Sequence, residues 1–293
     1  MKWLFDGNFN AVYGGYSGYF ASNNINISAN SSQLWVSPGY AGYGSAVHFL
    51  PNTSYIINQY FDLSTTSFTV SAWIFITFNF TLETFDYFTL LYHCAELNTD
   101  MCLHCVIDRG SVRLCFFNDD LIGNTTLNIY QWYHVAYVYD RPASKQYVYV
   151  NGYLDGCRTP DYYYIGNVSQ ITLGPMPQMS FANYHSGYID QLIFVSRVKN
   201  ATELLNEATL VAYYPFNNSY LDEGPNNISN TTQVSTTFSP NGIFNQALVI
   251  NSSTQSYFQT TGFYYLGLSN YSYSFALWIY PFVNNGTILQ VRL

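Results

Sequence analysis

Apolar and polar positions alternate without interruption from Ser67 to Ile76. Phe68, Val70, Ala72, Ile74 and Ile76 fall on one face, and Thr69, Ser71 and Trp73 on the other. A period of two over this length predicts a half-buried strand. A second signal runs from Trp132 to Gly156. Two stretches rich in Val and Tyr, Trp132 to Asp140 and Gln146 to Val150, flank a polar loop carrying Pro142, and Asn151-Gly152 follows. β-Branched and aromatic residues suit a pleated surface, and an Asn-Gly pair tolerates the positive φ angles of a tight hairpin, so the segment reads as strand, loop, strand, turn, strand. Neither stretch has a polar face: Trp132, His134, Ala136 and Val138 alternate with Tyr133, Val135, Tyr137 and Tyr139. Such a strand belongs in the middle of a sheet whose second face is covered or used for contact. Leu103 to Phe117 reads as a hairpin about Asp108-Arg109-Gly110. The one good helix signal is Asn200-Ala-Thr-Glu203, which resembles a capping box ahead of Leu204, Leu205 and Ala208.

Beyond Leu210 the pattern begins again. Val211 to Phe216 takes the place of Trp3-Leu-Phe5, and Gln246 to Ile250 that of Ser45 to Phe49. Ser272 to Ile279 matches Ser67 to Ile74 without a gap. Three matches in one order predict two tandem domains, 1–210 and 211–293. In this numbering residue 293 corresponds to about residue 88 of the first copy, so the second is expected to be incomplete, with no counterpart of the Trp132 to Gly156 meander.

The order Trp132-Tyr-His-Val-Ala136, Tyr149-Val-Asn-Gly152, Ile171-Thr-Leu-Gly174, Gly187-Tyr-Ile-Asp190 resembles the laminin-G-like jelly rolls of the concanavalin A-like lectin/glucanase superfamily. The resemblance implies an all-β fold, an antiparallel β-sandwich. It implies no single function, because that superfamily holds lectins, adhesion modules and glycosidases. It also implies a structural calcium, held by an Asp of the late strand and by oxygens near the first strand. Asp190 takes that place here, with Asp6 as the second candidate, and calcium favours such oxygen ligands. The alternative is that Asp190 is a structural hydrogen-bond acceptor or faces solvent.

Composition narrows the setting. Charged residues are 9% of the chain against about 25% in soluble domains, so solubility has to come from other groups. Thirteen Asn-x-Ser/Thr sequons occur, more than twice the number expected from random placement of the chain's Asn, Ser and Thr. Asn26, Asn30, Asn52, Asn79, Asn124, Asn167, Asn217, Asn227, Asn230, Asn251, Asn270 and Asn285 are the candidate glycan acceptors. Asn200 is expected to serve as a helix cap instead. This favours an extracellular glycoprotein, secreted or part of an ectodomain. A net charge of −8 without a basic run excludes a nucleic-acid surface. No apolar stretch is long enough to span a membrane as a helix.

Five Cys occur. His93-Cys94 and Cys102-Leu-His-Cys105 admit a zinc reading, but sequons favour an oxidising compartment and disulfides. Cys94 and Cys102 flank a polar loop and are the expected bridge. Cys105 and Cys115 are expected to face opposite ways across their hairpin. A glycosidase needs two carboxylates across the scissile bond, and the Glu-x-Asp-x-x-Glu pattern of the superfamily's glucanases does not occur. The expected function is therefore adhesion, or binding of a glycan or an extracellular protein, without catalysis. The rivals are a divergent glycoside hydrolase or polysaccharide lyase, and a purely structural spacer.

Overall fold

In the computed structural model, all residues are described except 23–31, 41, 51–52, 81–85, 95, 167, 176–182, 185–186, 252–254, 270, 284–285 and 292–293. The chain divides into two compact units, Met1–Tyr40 with Gly44–Leu210, and Ala41–Tyr43 with Val211–Leu293.

The first unit is an antiparallel β-sandwich. Its strands are β1 (Lys2–Trp3), β2 (Ala11–Tyr13), β3 (Gly18–Ser22), β4 (Trp35–Val36), β5 (Ala46–Phe49), β6 (Thr53–Phe61), β7 (Phe68–Ile76), β8 (Asp86–Cys94), β9 (Cys102–Asp108), β10 (Ser111–Cys115), β11 (Asp120–Ile122), β12 (Trp132–Asp140), β13 (Lys145–Val150), β14 (Tyr153–Arg158), β15 (Ser169–Leu173), β16 (Asn183–Tyr184) and β17 (Gly187–Val195). One sheet runs β14-β13-β12-β7-β17-β1-β2, with β5 also on β17 and β4 on β5. The other runs β11-β10-β9-β8-β15-β6-β3, with β16 on β8. The inward residues of β7 (Phe68, Val70, Ala72, Ile74, Ile76) meet those of β9 and β10 (Leu103, Cys105, Ile107, Val112, Leu114) in one continuous core. Two packed sheets hide each other's apolar faces in this way. Tyr137 of β12 donates across the layers to the Val106 carbonyl (2.9 Å), and Tyr164 donates to that of His93 (3.0 Å).

The outer face of β7 is more deeply buried than its alternation implies. Thr69 and Ser71 are fully enclosed and Trp73 is 6% exposed. For Thr69 and Ser71 the cause is α1 (Ala201–Thr209) and the segment leading into it; α1 begins with a capping box between Asn200 and Glu203. Leu204 packs on Ala136 and Val138, the positions that deprive β12 of a polar face. Glu207 accepts from the Ser71 hydroxyl (2.9 Å) and pairs with Lys199. It also lies 3.8 Å from His134, whose burial holds its pKa down at about 3, so that contact is to a neutral ring.

Cys94 and Cys102 are joined, closing the loop that carries Asp100. Asp100 is buried at positive φ with one carboxylate oxygen unpaired. Burial, followed by the charge of Asp119, raises its pKa to about 6. Asp119 in turn meets Arg158 at 2.6 Å and accepts from the Asp161 (2.7 Å) and Tyr162 (3.3 Å) N–H groups. The folded chain thus prefers Asp100 protonated. This stabilisation is complete below the ordinary value of 3.8 and is lost as pH rises through about 6. Asp100→Asn, which removes the buried charge next to Asp119, should raise the melting temperature at pH 7.5 and flatten its pH dependence between pH 4 and 6. Thermal melts across that range test it; an unchanged slope would contradict the assignment.

In the second unit, β18 (Thr231–Val234) pairs with β21 (Tyr257–Thr260) and β19 (Thr237–Ser239) with β20 (Ala247–Val249). Tyr214, Phe216, Tyr220 and Phe258 form a ring cluster, and Asp222 accepts from the N–H groups of Tyr213, Gly224 and Ile228. Ser272 to Ile279, expected as a strand from its match to β7, has no regular secondary structure and belongs to no sheet among the described residues. A strand needs a neighbour for its backbone groups, and among the described residues none pairs with it.

Candidate functional site: an aromatic row on the outer face of the first sheet

The register aligns one residue from each of four adjacent strands. Trp132 of β12 lies opposite Phe75 of β7, Phe75 opposite Tyr188 of β17, and Tyr188 opposite His48 of β5. Their inward neighbours Ile74, Ile76, Val47, Phe49 and Ile189 are in the core, so all four rings project from the other face. Ring centroids are 5.4 Å apart from Trp132 to Phe75, 5.5 Å from Phe75 to Tyr188 and 5.0 Å from Tyr188 to His48. The planes differ by 57°, 27° and 68°, so the rings present both faces and edges. Tyr130, largely exposed, adds a fifth ring 6.4 Å from Phe75. All four residues of the row are half-buried. Partial exposure fits rings that keep contact surface for a ligand while their stems are fixed by packing.

The next register position is closed. His134, Trp73 and Asp190 lie opposite one another, and Tyr40 stacks on Trp73 with centroids 3.3 Å apart and touches Trp132 edge-on at 6.0 Å. Asp190 holds Tyr40 there by accepting its N–H at 2.8 Å. Two carboxylates shape this loop, since Asp6 accepts from the Ser45 N–H at 3.0 Å. Glycines make room for both: a Cβ on Gly39 would come within 2.5 Å of an Asp190 oxygen, and one on Gly44, at φ +62°, within 1.7 Å of an Asp6 oxygen. Asp190 is 3% exposed, and burial raises its pKa well above the usual carboxylate range, with the nearby charge of Asp6 adding to the rise. Among the described residues neither carboxylate has a Lys or Arg partner. Nor do the described residues contain a group of three or more carboxylate, His or Cys side chains able to hold an ion. A cation at Asp6 and Asp190 would draw its other ligands from backbone carbonyls and water.

The remaining sequence-singled residues lie elsewhere. Cys105 points into the core, while His104 of the same strand turns outward to Thr89 (3.0 Å), and Cys94 and Cys102 are consumed in the disulfide, so no zinc set converges. Cys115 is buried and Cys157 exposed. Cys105 lies opposite Leu114 across the hairpin, which turns Cys115 to the other face. Among the sequons, Asn79, Asn124, Asn217, Asn227, Asn230 and Asn251 are exposed, and the Asn124 amide donates to the Asp155 carbonyl at 2.6 Å. Asn26, Asn30, Asn52, Asn167, Asn270 and Asn285 lie outside the described residues. On the outer face of the second sheet, Asp108 and Asp120 both pair with Arg113, which also donates to Tyr87 at 3.4 Å. Burial holds His104 beside them at a pKa of about 3. Those polar groups are spent on one another.

Sequence reasoning did not find the row. Its signal was present: Phe75 shares the parity of Thr69, Ser71 and Trp73, and β12 has no polar face. The pairing of positions 48, 75, 132 and 188, however, is set by long-range register.

Comparison with known proteins places this architecture. Domain 4 of AbnA, a GH43 extracellular arabinanase from Geobacillus stearothermophilus solved in complex with arabinotriose, is similar at 16% identity and a TM-score of 0.51, over 70% of this chain and 95% of that one. The binding domain of Paraclostridial Mosquitocidal Protein 1 is similar at 14% identity and a TM-score of 0.46, over 64% of this chain and 50% of that one. The botulinum neurotoxin serotype C1 binding domain is similar at 12% and 0.48, over 68% and 48%. The chain thus spans about half the length of these toxin domains. Among curated proteins none matches. At such identities the likenesses speak for the fold alone. Residues 42–205, over half of the chain, fit a laminin-G family model described as the concanavalin A-like lectin/glucanases superfamily. With the sandwich built over those same residues, the chain belongs to that superfamily.

Proposed function

We propose that this chain is a non-enzymatic glycan-binding module of an extracellular glycoprotein, and that the row Trp132, Phe75, Tyr188 and His48 is where the glycan lies. The observation that carries this reading is the row itself: four half-buried rings at near-equal spacing, next to positions that α1 and Tyr40 close. Aromatic rings offer C–H groups of sugars a flat apolar partner, and the Tyr hydroxyl and imidazole at the rim can bond sugar hydroxyls. The arabinanase domain of similar fold was solved with arabinotriose, which supports a sugar ligand without fixing its place here. A disulfide and exposed sequons fit an oxidising, extracellular setting. The ion pairs that occupy Asp108, Asp119 and Asp120 speak against a free pair of catalytic carboxylates. A glycan array and a release assay on the same protein test the function. Binding without turnover, weakened about tenfold or more by Phe75→Ala, is expected. Turnover of the bound glycan would overturn the non-enzymatic assignment, and absence of any glycan binding would leave a structural spacer.

Calcium at Asp6 and Asp190 is part of the same reading. A divalent cation would relieve the repulsion between two carboxylates, one of them buried, and would fix the loop that presents Tyr40 to Trp73. At a calcium concentration about a hundredfold above its dissociation constant, binding should raise the melting temperature by roughly 5–10 °C. Melts with EGTA and with added calcium measure this. Identical curves would remove calcium from the account.

The second unit we read as the opening of a further copy of the same fold. Phe5 and Phe216 are both at positive φ and are each followed by the same tight turn, closed by Gly7 N–H to Phe5 (2.8 Å) and by Asn218 N–H to Phe216 (3.0 Å). The pairing of β18 with β21 echoes that of β3 with β6, and the pairing of β19 with β20 echoes that of β4 with β5.

A further inference from the structure

The row's chemistry narrows the ligand further, on the basis of the glycan reading. It contains no Lys or Arg. His48 is its one titratable base. Its Nδ1 lies 3.3 Å from the Gln33 carbonyl, which can only accept, so Nδ1 carries the proton and Nε2 is an acceptor. Burial lowers the pKa of His48 and so favours the neutral ring. The cations at the helix end of this face are engaged, Lys199 by Glu207 and Arg197 by Glu203. Lys2 lies opposite Ile193, at the other end of β17 from Tyr188. The ionisable groups of the neighbouring register position are Asp190, which burial holds towards its neutral form, and neutral His134, so neither supplies a positive charge, and the chain as a whole carries −8. An anionic sugar would leave its carboxylate or sulfate without a cationic partner on the row, which costs binding energy.

The geometry sets the direction. The rings succeed one another across the strands, at centroid spacings of 5.0–5.5 Å that follow the spacing between paired strands. That interval is comparable to one sugar unit of an extended chain. A ligand laid across β12, β7, β17 and β5 meets a new ring with each successive unit, starting at Trp132 and ending at His48.

We propose that the row takes an uncharged, extended oligosaccharide lying across the four strands, with each of up to four successive sugar units against one ring. The rival occupant is a sialylated or sulfated glycan.

The test uses the full chain and isothermal titration with three neutral linear series of two to six units, from β-glucan, xylan and arabinan, beside sialyllactose and a sulfated heparin oligosaccharide. At least one neutral series should bind, with affinity rising about three- to tenfold per added unit to the fourth and then levelling. The acidic sugars should bind at least tenfold more weakly than the best neutral tetramer. His48→Ala, at the end of the row, should abolish the gain from the last unit. Tyr188→Ala should weaken every length, and circular dichroism checks that both variants fold. Tighter binding of an acidic sugar, or affinity independent of length, would overturn this proposal while the glycan reading stands. Failure of every sugar to bind would overturn both.

Discussion

Phe68→Ala should lower the stability of the first unit by about 3–5 kcal/mol, the usual cost of emptying an aromatic site in a packed core. Phe68 begins the inward face of β7 and is fully buried. Its ring lies 5.5 Å from that of Tyr139, its register partner on β12, and 6.3–6.4 Å from those of Phe194, Tyr164 and Phe116. These neighbours come from two strands of the first sheet, from the segment between β10 and β11 and from that between β14 and β15. The cavity therefore opens where several elements meet, and Tyr139 and Phe194 cannot move in without breaking their own ladders. In a domain of this size the loss corresponds to roughly 10–15 °C in melting temperature. Thermal and urea denaturation of the variant measure it; a shift under about 3 °C would mean that the core is not assembled around β7. Phe68→Leu should recover most of the difference, because it refills most of the volume.

The second large effect concerns 211–293. Excised and expressed in an oxidising host, this segment should aggregate or exchange its amides rapidly throughout, while 1–210 should unfold cooperatively. Two-stranded pairs are its only sheets among the described residues, and such pairs are marginal alone in water. Phe275, Leu277, Trp278 and Ile279 are 46%, 56%, 80% and 55% exposed, although their match in the first copy is the central strand β7. Burying side chains of that size is worth roughly 1.5–3 kcal/mol each, and within this segment no sheet supplies the cover. Unpaired edges add a route to association. Hydrogen exchange on the purified fragment gives the answer: slow amides around Trp278 in a monomer would contradict the correspondence with β7.

Much of the framework was legible because it depends on local rules. The alternation in β7, the Asn151-Gly152 turn and the Asn200–Glu203 cap are each written within a few residues, and the structure places a strand, a hairpin and a helix there. The disulfide partners could be chosen because they flank a single short loop. Resemblance, rather than pattern, brought Asp6 and Asp190 forward. The depth of burial of Thr69 and Ser71 was not legible, since it depends on where α1 docks. Nor was the aromatic row. Nothing in a one-dimensional pattern sets Phe75 and Trp132 apart from the other positions of the same parity on their strands. Only the register of four strands brings them together with Tyr188 and His48 on the outer face. The same limitation explains Ser272 to Ile279: a sequence can carry the alternation of a strand, but the strand forms only where another chain segment accepts its hydrogen bonds.

The central claim is that sugar lies on this row, and the most direct measurement is where a bound sugar sits. With the tightest neutral oligosaccharide on the isotope-labelled full chain, intermolecular nuclear Overhauser effects should connect sugar C–H protons to the rings of Phe75, Tyr188 and Trp132. Shift changes should follow β12, β7, β17 and β5. Contacts confined to the outer face of the second sheet, around Tyr87 and Arg113, with the row's resonances unmoved, would contradict the account.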